Sequence, residues 1–224
     1  MTVSTMEANP VLLRALRDPP RDHEPMLIEP AAVAFEAMRR AARADGLDVV
    51  PVSGFRDVAR QRAIWVRKFE AATAHGASPQ EAVASILAFS APPGFSRHHW
   101  GTDVDVVGSD LAQEPRLEPE DWAAGGVCAA LDSWIEDRAA DFGFRRPYDQ
   151  KRRGYEAEPW HLSYAPVAIA QLAELSSFDF RRSLEREPFP GSEVIAADLE
   201  AFLRDFVFDV APSLRPVHDD WTPA

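Results

Sequence analysis

Apolar residues recur along this chain at two different spacings, and their alternation predicts an α+β order. From Ala31 to Asp45 the apolar positions share one helical face, and Gly46 suits the left-handed position that closes a helix. Leu47 to Ser53 reads as a strand, followed by a helix whose Val58, Arg62, Trp65 and Phe69 fall on one stripe. Ser78-Pro79-Gln80-Glu81 is a capping box with proline at the first helical position, so a helix runs from there to about Ala88. Ala91-Pro92-Pro93-Gly94-Phe95 forms a stiff loop. Thr102 to Val107 then alternates with period two, Val104 and Val106 on one face and Asp103 and Asp105 on the other. A helix over Val127 to Asp141 turns Leu131, Trp134, Ile135 and Phe142 inward and is closed by Gly143. Phe144 to Tyr148 and Ala157 to Tyr164 read as further strands.

The two ends differ from this middle. Residues 1–30 are proline-rich and irregular. After Tyr164 the pattern predicts a helix over Pro166 to Leu175, an irregular stretch from Phe178 to Gly191, and a helix capped by Ser192 with Ile195, Leu199, Phe202, Leu203 and Phe206 as its apolar stripe. That last helix is expected on the back of the sheet, ahead of a dimer contact or a wall of a substrate cleft. The whole suits a small antiparallel sheet flanked by helices, with residues 1–46 as an N-terminal segment and helix, 47–165 as the core and 166–224 as a helical C-terminal extension packed on it, one domain overall.

Composition narrows the function classes. The 224 residues are 46% hydrophobic and 27% charged, values of a soluble globular protein. A formal net charge of −12 argues against nucleic acid as a partner, because a phosphate backbone would be repelled. Arg145-Arg146 and Lys151-Arg152-Arg153 make a short basic cluster, read as a solvated loop ahead of a contact for an anionic peptide. Cys128 is the single cysteine, which rules out an intramolecular disulfide and a thiol-rich metal site, and it is expected to be buried. The N-terminus lacks the basic start and apolar core of a secretory signal, and no apolar run reaches membrane-spanning length. The chain therefore reads as cytoplasmic, or as a cell-envelope protein if it leaves by another route or has lost a leader. Oligomeric state is not legible.

Three stretches far apart carry the chemistry: Ser53-Gly54-Phe55-Arg56, then Ser96-Arg97-His98-His99-Trp100-Gly101-Thr102-Asp103-Val104-Asp105, then Glu158-Pro159-Trp160-His161. A hydrolytic zinc site needs about three His or carboxylate ligands and one open position. His98, Asp105 and His161 would supply that set. It also needs a base for the proton lost by the attacking water, and Glu158, three residues before His161, is the candidate. His99 is not expected to be a ligand, since neighbouring residues on an extended chain point to opposite sides. His23, His75 and His218 lack partners at useful spacing and read as surface residues. Trp100 and Trp160 read equally as packing residues or pocket walls, and Asp57 and Gln61 as residues of a helix start.

The pattern Ser96-x-His98-x-x-Gly101-x-x-x-Asp105 with Glu158-x-Trp160-His161 resembles the D-alanyl-D-alanine metallopeptidases, the carboxypeptidases and dipeptidases of the fold shared with lysostaphin and the hedgehog signalling domain. Ser53-Gly-Phe-Arg56, with Gln61 five residues on, fits the same family, and the likeness covers residues 47–165. It implies one Zn2+ per chain held by His98, Asp105 and His161, with Glu158 as general acid and base. Arg56 would bind the substrate's terminal carboxylate or polarise its scissile carbonyl, Ser96 would hydrogen-bond the substrate backbone, and Trp160 would contribute to substrate binding.

The implied activity is removal of the terminal D-Ala from peptidoglycan stem peptides. A D-Ala-D-Ala dipeptidase, an L-alanyl-D-glutamate endopeptidase and a non-catalytic zinc-stabilised binding module are the alternatives. One position departs from the family, which usually has Ala where this chain has Asp103. On the alternating strand Asp103 points to the same side as Asp105. It reads equally as a carboxylate that orients a ligand His or fixes Arg56 or Arg97, and as a carboxylate at the sheet rim paired with water or an arginine.

Overall fold

The computed structural model describes residues 13–16, 25–175 and 177–216. The elements are β1 (Leu13–Ala15), β2 (Met26–Ile28), α1 (Glu29–Ala44), β3 (Val50–Ser53), α2 (Val58–Ala74), α3 (Pro79–Leu87), β4 (Asp103–Val107), α4 (Pro119–Trp122), α5 (Ala129–Arg138), β5 (Phe144–Arg145), β6 (His161–Tyr164), α6 (Ala165–Ala173), α7 (Ser177–Arg186), α8 (Ser192–Ala197) and α9 (Leu199–Phe202). Single 3-10 turns add Arg97–Trp100 and Ala139–Phe142. The fold is α+β, as the pattern predicts. Among the described residues no helix is long and apolar enough to cross a membrane.

Strands β3, β4, β6 and β5 form one antiparallel sheet in that order. Its two faces follow from the alternation along β4. Val104 and Val106 join Leu162 and Phe144 on the back face, where α1 covers them with Phe35, Met38 and Ala42 and α5 adds Leu131 and Ile135. Phe35 meets Phe144 edge to face at 5.9 Å between centroids. The front face carries Asp103, Asp105, His161 and Ser163, all buried. Register places Asp105 opposite His161 and Asp103 opposite Ser163, while Ser53 pairs with Asp105 from the other side. Cross-strand neighbours on one face are close enough to interact, so pairing alone gathers these four polar side chains.

Several elements differ from the pattern. The strands expected over Leu47–Ser53, Phe144–Tyr148 and Ala157–Tyr164 shrink to four, two and four residues. A strand lasts only as long as a neighbour offers backbone partners, and central β4 has five residues. The chain before His161 instead turns, with Glu158 N donating to Tyr148 O at 2.9 Å and His161 N to Glu158 O at 3.1 Å. Within the N-terminal stretch read as irregular, β1 and β2 form a short antiparallel ribbon with Leu13 opposite Ile28. Three-residue strands are too short for periodicity to register.

The stretch Phe178–Gly191 is not irregular throughout, since α7 occupies Ser177–Arg186 and buries Phe180 and Leu184, four residues apart. Nor does Ser192 cap a long helix. Gly191 takes the cap position, and Ser192 Oγ accepts from Phe189 N at 3.2 Å. Asp198 then breaks the run, and its carboxylate caps α9 by accepting from Ala201 N at 3.1 Å. The capping box at α3 forms as expected, with Ser78 N donating to Glu81 Oε2 at 2.8 Å and Glu81 N to Ser78 Oγ at 3.3 Å.

The C-terminal helices do not lie on the back of the sheet, because α1 and α5 already occupy it. They form a second apolar cluster with α2, α3 and the loop before Ser96. Phe95 stacks on Phe180 at 4.8 Å and meets Phe202 edge-on at 5.3 Å. Trp65 donates its indole N–H to Pro190 O at 2.8 Å, and Tyr155 packs edge-on against Phe206 at 5.2 Å. The extension thus clamps the loops on the front side.

Candidate metal centre and cleft

Each candidate donor arrives on a different element. His98 sits in the 3-10 turn Arg97–Trp100, which starts where Ser96 Oγ accepts from His98 N at 3.3 Å. The turn ends at Gly101, whose φ of 70° is one that L side chains rarely adopt, and this reversal sends the chain into β4. Asp105 and His161 face each other across β4 and β6. The donor atoms of His98, Asp105 and His161 lie within 4.8 Å of one another, all three residues buried.

Hydrogen bonds fix which nitrogens face inward. His98 Nδ1 lies 2.8 Å from Gly54 O, and a carbonyl only accepts, so Nδ1 carries the proton and Nε2, 3.3 Å from Asp105 Oδ2, is the free lone pair. Gly54 is required there: a Cβ would come within 2.4 Å of Met26 O. His161 Nε2 is 3.0 Å from Asp103 Oδ2, which leaves Nδ1 facing Asp105 Oδ1 at 3.8 Å and Glu158 Oε2 at 2.7 Å. Two imidazoles and a carboxylate, with the outward nitrogens held by other groups, form a donor set that fits a divalent cation.

Electrostatics follow from burial first. Burial, then the Arg56 charge, lowers the His98 imidazole and keeps it neutral. Burial alone would raise Asp105, but the neighbouring His98 and His161 hold it down to about 2. The Glu158 carboxyl is raised by burial, only partly offset by His161. Burial lowers His161, yet hydrogen bonds to Asp103 and Glu158 overrule it and push the ring up to about 10. Asp103 is held far below the usual carboxylate range despite complete burial, chiefly by Arg97.

Asp103 is the hub of a buried network rather than a rim residue. It accepts from Arg97 Nε at 2.8 Å, Ser163 Oγ at 2.8 Å and Thr102 Oγ1 at 2.7 Å, besides facing His161. Arg97 also donates to Ser163 Oγ at 2.7 Å and lies 4.4 Å over the Trp100 ring.

Arg56 reaches the same site from the loop after β3. Its Nη1 donates to Gln61 Oε1 at 3.1 Å, Nη2 lies 3.9 Å from Asp105 Oδ2, and buried Nε has no hydrogen-bond partner. Gln61 in turn donates to Ala91 O at 2.6 Å, so it grips Arg56 rather than only starting a helix, whereas Asp57 does cap α2 through Arg60 N at 2.6 Å. His99 points away from the donors and pins two loops, with Nδ1 2.6 Å from Arg56 O and Nε2 accepting from Gly94 N at 3.1 Å. Spacing alone gives no sign of that role.

A cleft of about 290 Å3 opens over the three donors and is lined by Arg56, Ser96, Glu158 and Trp160 as well as residues the sequence does not flag: Arg67, Lys68, Tyr148 and Tyr155. Trp160 both lines the cleft and packs in the back-face core, with Phe89 6.0 Å away. Trp100 belongs to the second core. The basic cluster is internally paired: Arg146 with Asp132 and Glu136, Lys151 with Glu156. Cys128 is buried with Gly108 N 3.5 Å from its sulfur. His75 is exposed, and His23 and His218 lie outside the described residues.

Comparison with known proteins identifies a family and a shared fold. The model of the family described as VanY, D-alanyl-D-alanine carboxypeptidase, matches residues 25–167. An uncharacterised protein of Haemophilus influenzae is 35% identical over 108 residues, 46% of this chain and 79% of that protein. A D-alanyl-D-alanine carboxypeptidase of Enterococcus faecalis is 28% identical over 133 residues, 58% of this chain and 45% of its own length, so the chain spans about half of that relative. Among solved structures, the zinc complex of the vancomycin-resistance D,D-pentapeptidase VanY shares the fold at a TM-score of 0.56 and 21% identity, covering 86% of this chain and 92% of that one.

Proposed function

Since the chain belongs to the VanY family of D-alanyl-D-alanine carboxypeptidases, we propose that it is a zinc-dependent carboxypeptidase that hydrolyses the terminal D-Ala-D-Ala bond of peptidoglycan stem peptides. One observation carries the reading: the donors of His98, Asp105 and His161 converge within 4.8 Å, with Glu158 2.7 Å from His161 and Arg56 on the same rim.

His98, Asp105 and His161 would hold one zinc ion per chain, which would supply Lewis acidity for acidifying water and polarising the scissile carbonyl. Glu158 is the proton carrier. Burial raises its carboxyl, which brings it toward the range where a group both takes a proton from water and returns it to the leaving amine. Arg56, with a buried Nε that lacks a partner, would meet the terminal carboxylate with two parallel hydrogen bonds. Ser96 would bond the substrate backbone, and Trp160 would form the wall beside it. Asp103 would keep the His161 Nε2 proton in place so that Nδ1 always faces the metal.

The test combines metal analysis with mass-spectrometric detection of D-Ala released from a stem pentapeptide. Wild type is expected to carry one zinc and release D-Ala, and His161→Ala to lose most of the metal. Amidating the C-terminus should abolish cleavage, and Arg56→Lys should weaken it strongly, since an ammonium cannot reproduce the guanidinium fork. Cleavage of the amidated peptide at the full rate would replace the carboxypeptidase reading with an endopeptidase one.

A further inference from the structure

The cleft extends along α2 beyond Arg56. Ile64 and Lys68, four residues apart on one face of α2, line the cleft together with Arg67, and Gln61, one turn earlier, holds Arg56. Lys68 Nζ contacts Ser90 Oγ at 2.5 Å, and among the described residues no carboxylate lies within ion-pair distance of Lys68 or Arg67. That sets them apart from the basic loop cluster, where Arg146 and Lys151 have acidic partners within 3.3 Å. Arg56, Arg67 and Lys68 repel one another, and burial together with those two guanidiniums lowers the Lys68 ammonium. In a chain of net charge −12, cations that have no carboxylate partner among the described residues and gather on one cleft wall are complementary to an anion brought by a ligand.

We propose that Arg67 and Lys68 form a second anion subsite that reads a carboxylate on the substrate upstream of the terminal one. The inference rests on the carboxypeptidase reading and names its substrate class. Seven residues of helix from Gln61, which holds Arg56, to Lys68 span about 10 Å. An extended peptide covers that distance in about three residues. Stem peptides carry two carboxylates in that range, the side chain of a diamino dicarboxylic acid at the third position and the α-carboxylate of the γ-linked glutamate at the second. Both present the same chemistry, an exposed carboxylate that accepts charge-assisted hydrogen bonds.

The experiment uses the zinc-loaded protein and three pentapeptides: the parent, one amidated only at the third-residue carboxylate and one amidated only at the glutamate. D-Ala release and calorimetric binding are both measured. Amidating the carboxylate that is read should lower kcat/KM about tenfold or more through KM, the loss of one charge-assisted bond. Lys68→Ala with Arg67→Ala should cut the parent to the level of that amidated peptide. Arg43→Ala, a cation removed from α1, should leave the ratio between peptides unchanged. Equal release from all three peptides overturns the subsite while the reaction stands. Binding that still discriminates without D-Ala release sinks the reaction and keeps the subsite. Absence of both binding and release overturns both.

Discussion

Asp103 is completely buried, so its cost of desolvation must be offset by what it holds. It accepts from Arg97, Ser163 and Thr102 and faces His161 Nε2 at 3.0 Å. Asp103→Asn keeps the shape but leaves Arg97 as an unpaired buried charge, which should destabilise the protein by about 3 kcal/mol in urea titration. It should also weaken zinc affinity about tenfold to a hundredfold, because His161 loses the acceptor that sets its tautomer. Unchanged affinity alongside lower stability would make Asp103 a partner of Arg97 only. Glu158 gives the complementary case. Glu158→Gln is expected to keep metal and fold yet lower kcat about a hundredfold to ten-thousandfold, as removal of a general base does. Near-normal turnover with full metal content would exclude it as the base.

At the scale of elements, the C-terminal helices matter through the loop they clamp. Phe95 is held between Phe180 and Phe202, and the next residue, Ser96, begins the turn that carries His98. Truncating Phe202 to alanine opens a cavity in this cluster and should cost about 3–5 kcal/mol, read from the denaturation midpoint. Because the ligand-bearing turn rests on the same cluster, zinc affinity should fall as well. A loss of stability with affinity intact would show that the turn is held by its own hydrogen bonds, His99 to Arg56 O and Gly94 N among them.

For the whole molecule one apolar cluster backs the small sheet and the other packs the loops beside its polar front, and a metal there would tie β4 and β6 to the turn before β4. A ligand bound only by the native state stabilises it by about 4 kcal/mol when present at a thousand times its Kd. Chelation should therefore lower Tm by on the order of 10 °C in a chain of this size, and added zinc should restore it. Identical melting with and without chelator would mean that the site does not retain metal.

Much of this was written locally. The alternation of Thr102 to Val107 fixes which valines enter the core and which aspartates face the cleft, because side chains on a strand repeat every two residues. The capping box at Ser78 needs only neighbours three residues apart, and the Ser96-x-His98 to Asp105 motif with Glu158-x-Trp160-His161 carries the family resemblance that names His98, Asp105 and His161 as candidate donors before any fold is known. Other features depend on partners far along the chain. Strand lengths were set by the reach of β4, the burial of Phe180 and Leu184 in α7 by the loop at Phe95, and the side on which the extension packs by α1 having taken the back face. Gln61 as the grip on Arg56, Arg97 as the partner of Asp103, and Lys68 with Arg67 on the cleft wall are visible only once α2, β4 and β6 are placed. A sequence records periods and short spacings; which polar group meets which is decided by tertiary packing, because burial forces each one to find its partner across the fold.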